Sequence, residues 1–175
     1  EIKAEKIKIL PVVETKTKIK VTVDLPSFAE RAAETKCREV GLTRIEGIIA
    51  ENGKHPFYFL KHKKITDYEK VIFSGISKIA EHFDRLWIRT SDIRSDEFRH
   101  LEDAPQEQEQ NPMLGMHGIR FGLKHKEILK AELNALKKLS EKKKIGVLLP
   151  QVISVEEVRK AKEFLKEIKS EEIEL

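Results

Sequence analysis

Two short polar segments carry side chains that could bind a small anion. Arg89 and Asp92 directly follow an apolar run, and segment 111–120 adds Asn111 and Arg120. An arginine guanidinium holds a carboxylate or a phosphate through two parallel, charge-assisted hydrogen bonds. These residue types at the end of an apolar run therefore predict a site for a small anionic ligand.

Apolar runs alternate with segments of helical period along most of the chain. Strands are predicted for the apolar runs at 19–25, 40–45, 86–88 and 145–149. Capping patterns predict helices that begin near Ser27, Asp67 and Ser154, and a leucine stripe from Leu129 to Leu139 predicts another. Strands that alternate with helices favour an α/β fold, with a parallel sheet and crossover helices outside it.

Polar side chains stand at the ends of three predicted strands. Arg44 and Glu46 close the second strand, Arg89 and Asp92 follow the third, and Gln151 follows the fourth. Ligands of parallel α/β folds lie at the carboxyl ends of the strands, so we expect these groups to converge on one face. The alternative for Arg44 and Glu46 is a structural ion pair between strand and helix.

Segment 92–126 is long and shows no helical period. Its middle, EDAPQEQEQ, is acidic and rich in glutamine. Connections of this length are uncommon unless they have a function, so we interpret the segment as an active-site loop. The alternative is a disordered insertion.

Composition excludes several classes of function. The chain has 175 residues, of which 39% are hydrophobic and 37% charged, and its net charge of +4 is spread over 34 basic and 30 acidic residues. This balance argues against a nucleic-acid binder, which would concentrate basic residues on one face. Cys37 is the single cysteine and no apolar run is long enough to cross a membrane, so we expect a cytoplasmic protein without a membrane partner.

Several other motifs that carry chemistry are absent from the sequence. The spacing shows no phosphate-binding glycine loop, no Ser-His-Asp or Cys-His arrangement and no histidine set with metal-ligand spacing. We therefore assign no catalytic and no metal-binding residue. Trp87 and Ile88, in the third apolar run, are expected in the core.

Four collinear segments resemble the PEP-utilising enzyme family, where PEP is phosphoenolpyruvate. They are VGLTRIEGIIAENGKHP (40–56), RTSDIRSDEFRHL (89–101), NPMLGMHGIRFGL (111–123) and IGVLLPQVISVEEVRKAKEFLKE (145–167). Within the family they look closest to archaeal PEP synthase, a pyruvate, water dikinase. The resemblance implies a (β/α)₈ barrel domain that binds PEP or pyruvate with Mg²⁺ and exchanges a phosphoryl group with a phosphohistidine on a separate domain.

The same resemblance implies roles for single residues. Arg44 and Arg89 would hold the phosphate and carboxylate of PEP, Arg120 would support the pocket, and Asn111 would shape the loop. We add Asp92 to this substrate-binding set because it follows the same strand as Arg89. Phosphoryl transfer depends mainly on positioning and charge neutralisation, which arginines provide while they stay protonated.

The chain departs from the family pattern in three places. His117 stands where the family has arginine, and we interpret it as a satisfied loop histidine rather than a catalytic base. Asp96 and Glu97 replace the family's Asn-Glu pair, without the two glycines that usually follow. The third departure is length, because a (β/α)₈ barrel needs about 250 residues.

These observations predict half of a TIM (β/α)₈ barrel. Residues 15–175 would form a partial PEP/pyruvate-binding barrel domain, preceded by an arm or leading strand at 1–14. The family's Mg²⁺ ligands and its proton-donating cysteine belong to the second half, so we expect no turnover from this chain alone.

The family reaction would convert ATP, pyruvate and water to AMP, PEP and phosphate. Because open sheet edges favour association, we expect a homo-oligomer or a complementing chain. The alternatives are a stand-alone binding or regulatory module, and an unrelated α/β domain with accidental similarity.

Overall fold

The computed structural model describes residues 13–107 and 109–175. The predicted arm or leading strand at 1–14 lies outside the described residues except for positions 13 and 14, which are exposed. The described part contains a parallel sheet of four strands in chain order. The strands are β1 (Val21–Thr22), β2 (Glu39–Arg44), β3 (Arg85–Arg89) and β4 (Lys144–Leu148).

Helices connect and flank these strands, and two 3₁₀ turns occur at Pro26–Phe28 and Pro112–Leu114. The longest helices, α4 and α6, pack against each other. The helices are α1 (Ala29–Ala33), α2 (Glu46–Asn52), α3 (Pro56–Lys61), α4 (Ile65–Ala80), α5 (Gly118–Lys124), α6 (Lys126–Ser140) and α7 (Val155–Glu167). None of the helices in these described ranges is both long and apolar enough to cross a membrane.

The strand register brings the carboxyl ends of the central strands side by side. Arg44 at the end of β2 pairs with Arg89 at the end of β3, and Arg89 in turn pairs with Leu148 of β4. All three pairings are parallel, and the sheet is open. The predicted α/β fold, with parallel strands and flanking helices in half-barrel order, is confirmed.

The two faces of β3 differ in their surroundings. Leu86 and Ile88 are fully buried in the same core as Ile72 of α4. Trp87 points to the opposite face, because successive side chains of a strand alternate, and it is only half-buried. A side chain at Gly146 of β4 would stand 2.5 Å from the Trp87 ring, so the indole lies across this glycine. The expectation that Trp87 is a core residue is wrong.

All three helices predicted from capping patterns are present, but only one of them has the predicted side-chain cap. The capping box at Ser154 is confirmed, with reciprocal bonds between Ser154 and Glu157. The helix predicted near Ser27 is present as α1, but the Ser27 cap is wrong, because α1 begins at Ala29 after a 3₁₀ turn and has no side-chain cap. Asp67 does not cap α4 either, since it lies in the first turn of that helix and bonds Lys70.

The long segment 92–126 folds back onto the core. Ile93 and Leu101 are buried, and the segment ends in helix α5, which the missing helical period did not predict. Gly118, the first residue of α5, has φ +60°, and a side chain there would come within 2.8 Å of the Pro150 carbonyl oxygen. The glycine therefore allows α5 to begin directly against the end of β4, where the Ile119 N–H bonds the same carbonyl at 2.9 Å.

Candidate functional site

A cavity of about 490 Å³ opens at the carboxyl ends of the central strands. Arg44 from the end of β2 and Arg89 from the end of β3 both line it. Asp92, His117 and Gln151 complete its wall from the loops that follow β3 and β4. The strand ends thus bring together two of the three sequence-predicted arginines, together with Asp92.

The Arg89 side chain is held in place by a buried carboxylate. Its Nη2 donates to Glu46 Oε1 at 2.9 Å, and its Nη1 lies 3.9 Å from Asp92 Oδ2. The Asp92 backbone N–H donates to the same Glu46 oxygen. Burial raises the pKa of Glu46, and the nearby Arg89 charge offsets this only in part. Within the described residues, Glu46 Oε2 and Arg89 Nε are buried without a hydrogen-bond partner.

The Arg44 side chain is half exposed and is held from the neighbouring strand. Its Nε donates to Asp24 Oδ2 at 2.8 Å, and its backbone N–H donates to Asp24 Oδ1 at 2.9 Å. The hydrogen bond that the Arg44 side chain donates to Asp24 is the main cause that raises the pKa of Arg44. The alternative of an Arg44–Glu46 ion pair is wrong, because Glu46 pairs with Arg89 instead.

His117 is buried against Asp92 at the cavity wall. Its Nδ1 lies 2.7 Å from Asp92 Oδ1, and its Nε2 lies 2.9 Å from the Met113 carbonyl oxygen. The ring is 1% exposed, so both contacts are shielded from water. Gln151 approaches the other oxygen of Asp92 at 3.4 Å. The interpretation of His117 as a satisfied loop histidine agrees with this geometry.

Two predicted residues lie outside the cavity wall. Asn111 Oδ1 accepts from the Met113 N–H at 3.2 Å and caps the 3₁₀ turn. Arg120 Nη2 donates to the Gly115 carbonyl oxygen at 2.8 Å. Both side chains therefore contact the backbone of the loop that carries His117. Their proposed roles in substrate binding stay predictions.

The sequence did not single out Asp24 or Arg94, which also line the cavity. Asp24 falls within the first predicted strand, close to its end, so the rule that selected Arg44 could also have selected it. Arg94 lies in the loop, where it bonds Glu97 and the Met113 sulfur. Nothing in the spacing of residues marks a loop residue of this kind.

A second buried carboxyl lies below the end of β3. Glu132 of α6 accepts from the Tyr68 hydroxyl at 2.7 Å and from the Ser91 N–H at 3.1 Å. Burial raises the pKa of Glu132 to about 7, although the bonds from Ser91 and Tyr68 oppose the shift. Its signal in the sequence was an acidic residue on the buried leucine face of a helix.

The charges at the cavity nearly balance. Each lining arginine faces a carboxylate, with pairs Arg44–Asp24, Arg89–Glu46 and Arg94–Glu97.

The Mg²⁺ implied by the family resemblance finds no fitting donor set here. Among residues 13–107 and 109–175, no group of three or more His, Cys, Asp or Glu side chains could hold a metal ion.

Comparison with known proteins gives one consistent result. The family model described as "PEP-utilising enzyme, PEP-binding domain" matches residues 2–174. The probable phosphoenolpyruvate synthase of Pyrococcus horikoshii is 45% identical over 161 residues, which cover 88% of this chain and 19% of that protein. The phosphoenolpyruvate synthase of Pyrococcus furiosus is 44% identical, over 88% of this chain and 20% of that protein.

A more distant match has a related name. The phosphoenolpyruvate-protein phosphotransferase of Mycoplasma capricolum is 31% identical over 151 residues, which cover 86% of this chain and 23% of that protein. The chain spans about a fifth of the length of the curated relatives it matches.

Proposed function

The chain belongs to the PEP-utilising enzyme family, and on this premise we propose that its cavity binds PEP or pyruvate. The supporting observation is that Arg44 and Arg89, at the ends of two paired strands, line one cavity of about 490 Å³. Cavities of roughly 300 Å³ and more accommodate small ligands. Accidental similarity of an unrelated domain is excluded by the family match.

The geometry suggests how an anion would be held. Glu46 fixes one edge of the Arg89 guanidinium, so the side chain loses little further freedom when a ligand arrives. Asp24 engages Nε and Nη2 of Arg44, and within the described part of the chain no side chain engages its Nη1. A guanidinium carries five N–H donors, so a single carboxylate partner leaves donors for a ligand.

The raised pKa of Glu46 supports binding of a polyanion. A dianion beside Glu46 would repel an ionised carboxylate, and a group whose pKa is already raised takes up a proton at lower cost. We expect PEP binding to include proton uptake at this residue. Arg89 would then face one competing negative charge fewer.

The reaction of the whole enzyme is proposed by family membership. It would convert ATP, pyruvate and water to AMP, PEP and phosphate, as a pyruvate, water dikinase does, and this chain would supply the PEP-binding step. We also propose a cytoplasmic location, in line with a single cysteine, Cys37.

Calorimetry with PEP tests the binding proposal. Wild-type protein should bind PEP weakly, and Arg89→Ala should remove binding because the fixed guanidinium is lost. Arg38→Ala is the matched control, since Arg38 precedes β2 at the amino end and forms an exposed pair with Asp84. If Arg89→Ala binds PEP as the wild type does, Arg89 is not a ligand residue and the proposed pocket is rejected.

A second candidate is a binding or regulatory module that works with another chain or with its own copy. Exposed apolar residues favour it, because soluble monomers rarely expose contiguous apolar patches without an interaction. Val152, Ile153 and Val155 are exposed in the segment that follows β4.

A further inference from the structure

The hydrogen bonds of His117 define how many protons its ring carries. A carbonyl oxygen only accepts hydrogen bonds, so Nε2 must donate to Met113 across 2.9 Å. A carboxylate also only accepts, so Nδ1 must donate to Asp92 across 2.7 Å. A neutral imidazole has one N–H and can satisfy only one of these acceptors. Bonding both acceptors takes a proton on each ring nitrogen, which makes the ring a cation.

The two acceptors come from distant parts of one loop. Asp92 lies three residues beyond the end of β3, and Met113 lies in the 3₁₀ turn, while His117 directly precedes α5. A single buried ring therefore joins the start and the end of the loop between β3 and α5. Ordering a loop of this length costs entropy, which charge-assisted hydrogen bonds can offset.

The ring also changes the surroundings of Arg89. Asp92 Oδ1 lies 2.7 Å from His117, whereas the closest approach of Asp92 to Arg89 is 3.9 Å. The Asp92 charge is thus balanced mainly by the histidine. Without that positive ring, Asp92 would be free to pair with Arg89 and compete with a bound anion.

We propose that His117 is a positively charged positioning residue, whose ring bonds Asp92 and the Met113 carbonyl, closes the loop between β3 and α5, and keeps Arg89 available to an anionic ligand. The charge of the ring and its closure of the loop concern the protein without ligand. Only the availability of Arg89 to an anionic ligand rests on the proposed function.

Nitrogen NMR of ¹⁵N-histidine-labelled protein tests the charge directly. At about pH 7 the His117 ring should show two protonated nitrogens, because both bond to acceptors. In Asp92→Asn the carboxamide can itself donate, so one His117 nitrogen should lose its proton. A wild-type His117 ring with one unprotonated nitrogen overturns the proposal, whatever the protein binds.

Hydrogen exchange tests the effect on the loop. In His117→Gln the Asp92 and Met116 amides should exchange roughly tenfold faster or more, since a buried charge-assisted contact is lost. The control is His100→Gln, because His100 is exposed in the same loop. Equal exchange rates in wild type and His117→Gln would show that the ring does not hold the loop.

PEP titrations complete the test. Binding should weaken in His117→Gln and recover at least partly in His117→Arg, where a permanent cation again faces Asp92. If His117→Gln binds PEP with the wild-type affinity, the link between His117 and Arg89 is overturned. If the NMR and exchange results are as expected but wild type binds no PEP, the proposed function fails and the role of His117 in the loop stands.

Discussion

Arg89 shows how a charged side chain is fixed before any ligand arrives. Arg89 is the last residue of β3, and its partner Glu46 is the first residue of α2. The Asp92 backbone N–H donates to the same Glu46 carboxylate that accepts from Arg89. Three groups separated along the chain thereby define one guanidinium position. Pairing with a buried carboxylate costs desolvation, and its benefit is orientation rather than stability.

Glu132 should make stability fall as pH rises. Its pKa is raised from 4.5 to about 7 in the folded protein, so the unfolded chain ionises first. The contribution of the protonated carboxyl is complete below about pH 4.5 and is lost as pH rises through about 7. A shift of this size corresponds to roughly 3 kcal/mol.

We expect Glu132→Gln to flatten this pH dependence. The free energy of unfolding of Glu132→Gln minus that of the wild type should rise by roughly 2 kcal/mol from about pH 5 to about pH 8, because an amide cannot ionise. Urea unfolding at both pH values measures the difference. Glu127→Gln on the same helix is the control, since Glu127 is exposed. If the difference between variant and wild type is the same at both pH values, the buried Glu132 carboxyl does not cause this pH dependence.

His55 should act in the opposite direction. Burial, with a smaller effect of the His125 charge, lowers its pKa from 6.5 to about 4. The neutral ring stabilises the fold fully above about pH 6.5, and this contribution is lost as pH falls through about 4, because the unfolded chain takes up the proton first.

Replacing His55 by asparagine should preserve the helix start and remove the titration. The His55 ring accepts the Phe57 N–H at 3.2 Å as the cap of α3, and asparagine is a favoured cap. Thermal melts between about pH 4.5 and pH 7 should therefore depend less on pH in His55→Asn. The exposed His82→Asn variant should retain the wild-type slope.

Among the secondary-structure elements, three of the four strands were predicted close to their observed bounds, whereas the first covers only Val21–Thr22 of the predicted run 19–25. Three of the short helices were not predicted. The apolar runs at 40–45, 86–88 and 145–149 correspond to β2, β3 and β4, because buried parallel strands are continuously apolar. Helices α2, α3 and α5 have six or seven residues, too few for a period to emerge. Their positions depend on contacts with the rest of the fold.

The candidate site was predictable in its location but not in its pairings. Residues that follow strand ends were expected together, and Arg44, Arg89 and Asp92 line one cavity. That Arg44 meets Asp24 and Arg89 meets Glu46 depends on strand register and side-chain direction. Neither can be derived from the spacing of charges along one sequence.

Helix α5 should be sensitive to substitution at its first residue. Gly118→Ala combines a positive φ with a contact of 2.8 Å to the Pro150 carbonyl oxygen. We expect a loss of roughly 2 kcal/mol or more in the free energy of unfolding. Gly53→Ala separates the causes, because Gly53 has φ +76° but open space around it, so it should lose only about 1 kcal/mol. Equal losses of unfolding free energy in the two variants would show that the protein moves to relieve the contact with Pro150.

For the molecule as a whole, we expect self-association. The sheet is open and apolar side chains are exposed beyond β4, including Ile153 at 74% and Val155 at 67%. Light scattering should show an apparent mass that rises with concentration, and the double variant Ile153→Ser, Val155→Ser should reduce it. Val13→Ser, an exposed apolar change elsewhere, is the control. A concentration-independent monomer mass would refute this expectation.

The position of Trp87 has a practical consequence. It is the only tryptophan of the chain, it lies across Gly146, and it occupies the sheet face opposite the buried Leu86 and Ile88. Intrinsic fluorescence therefore arises from one known place. Any polypeptide that covers that face would dehydrate the indole and move its emission to shorter wavelength, so the protein carries its own unlabelled optical sensor of assembly.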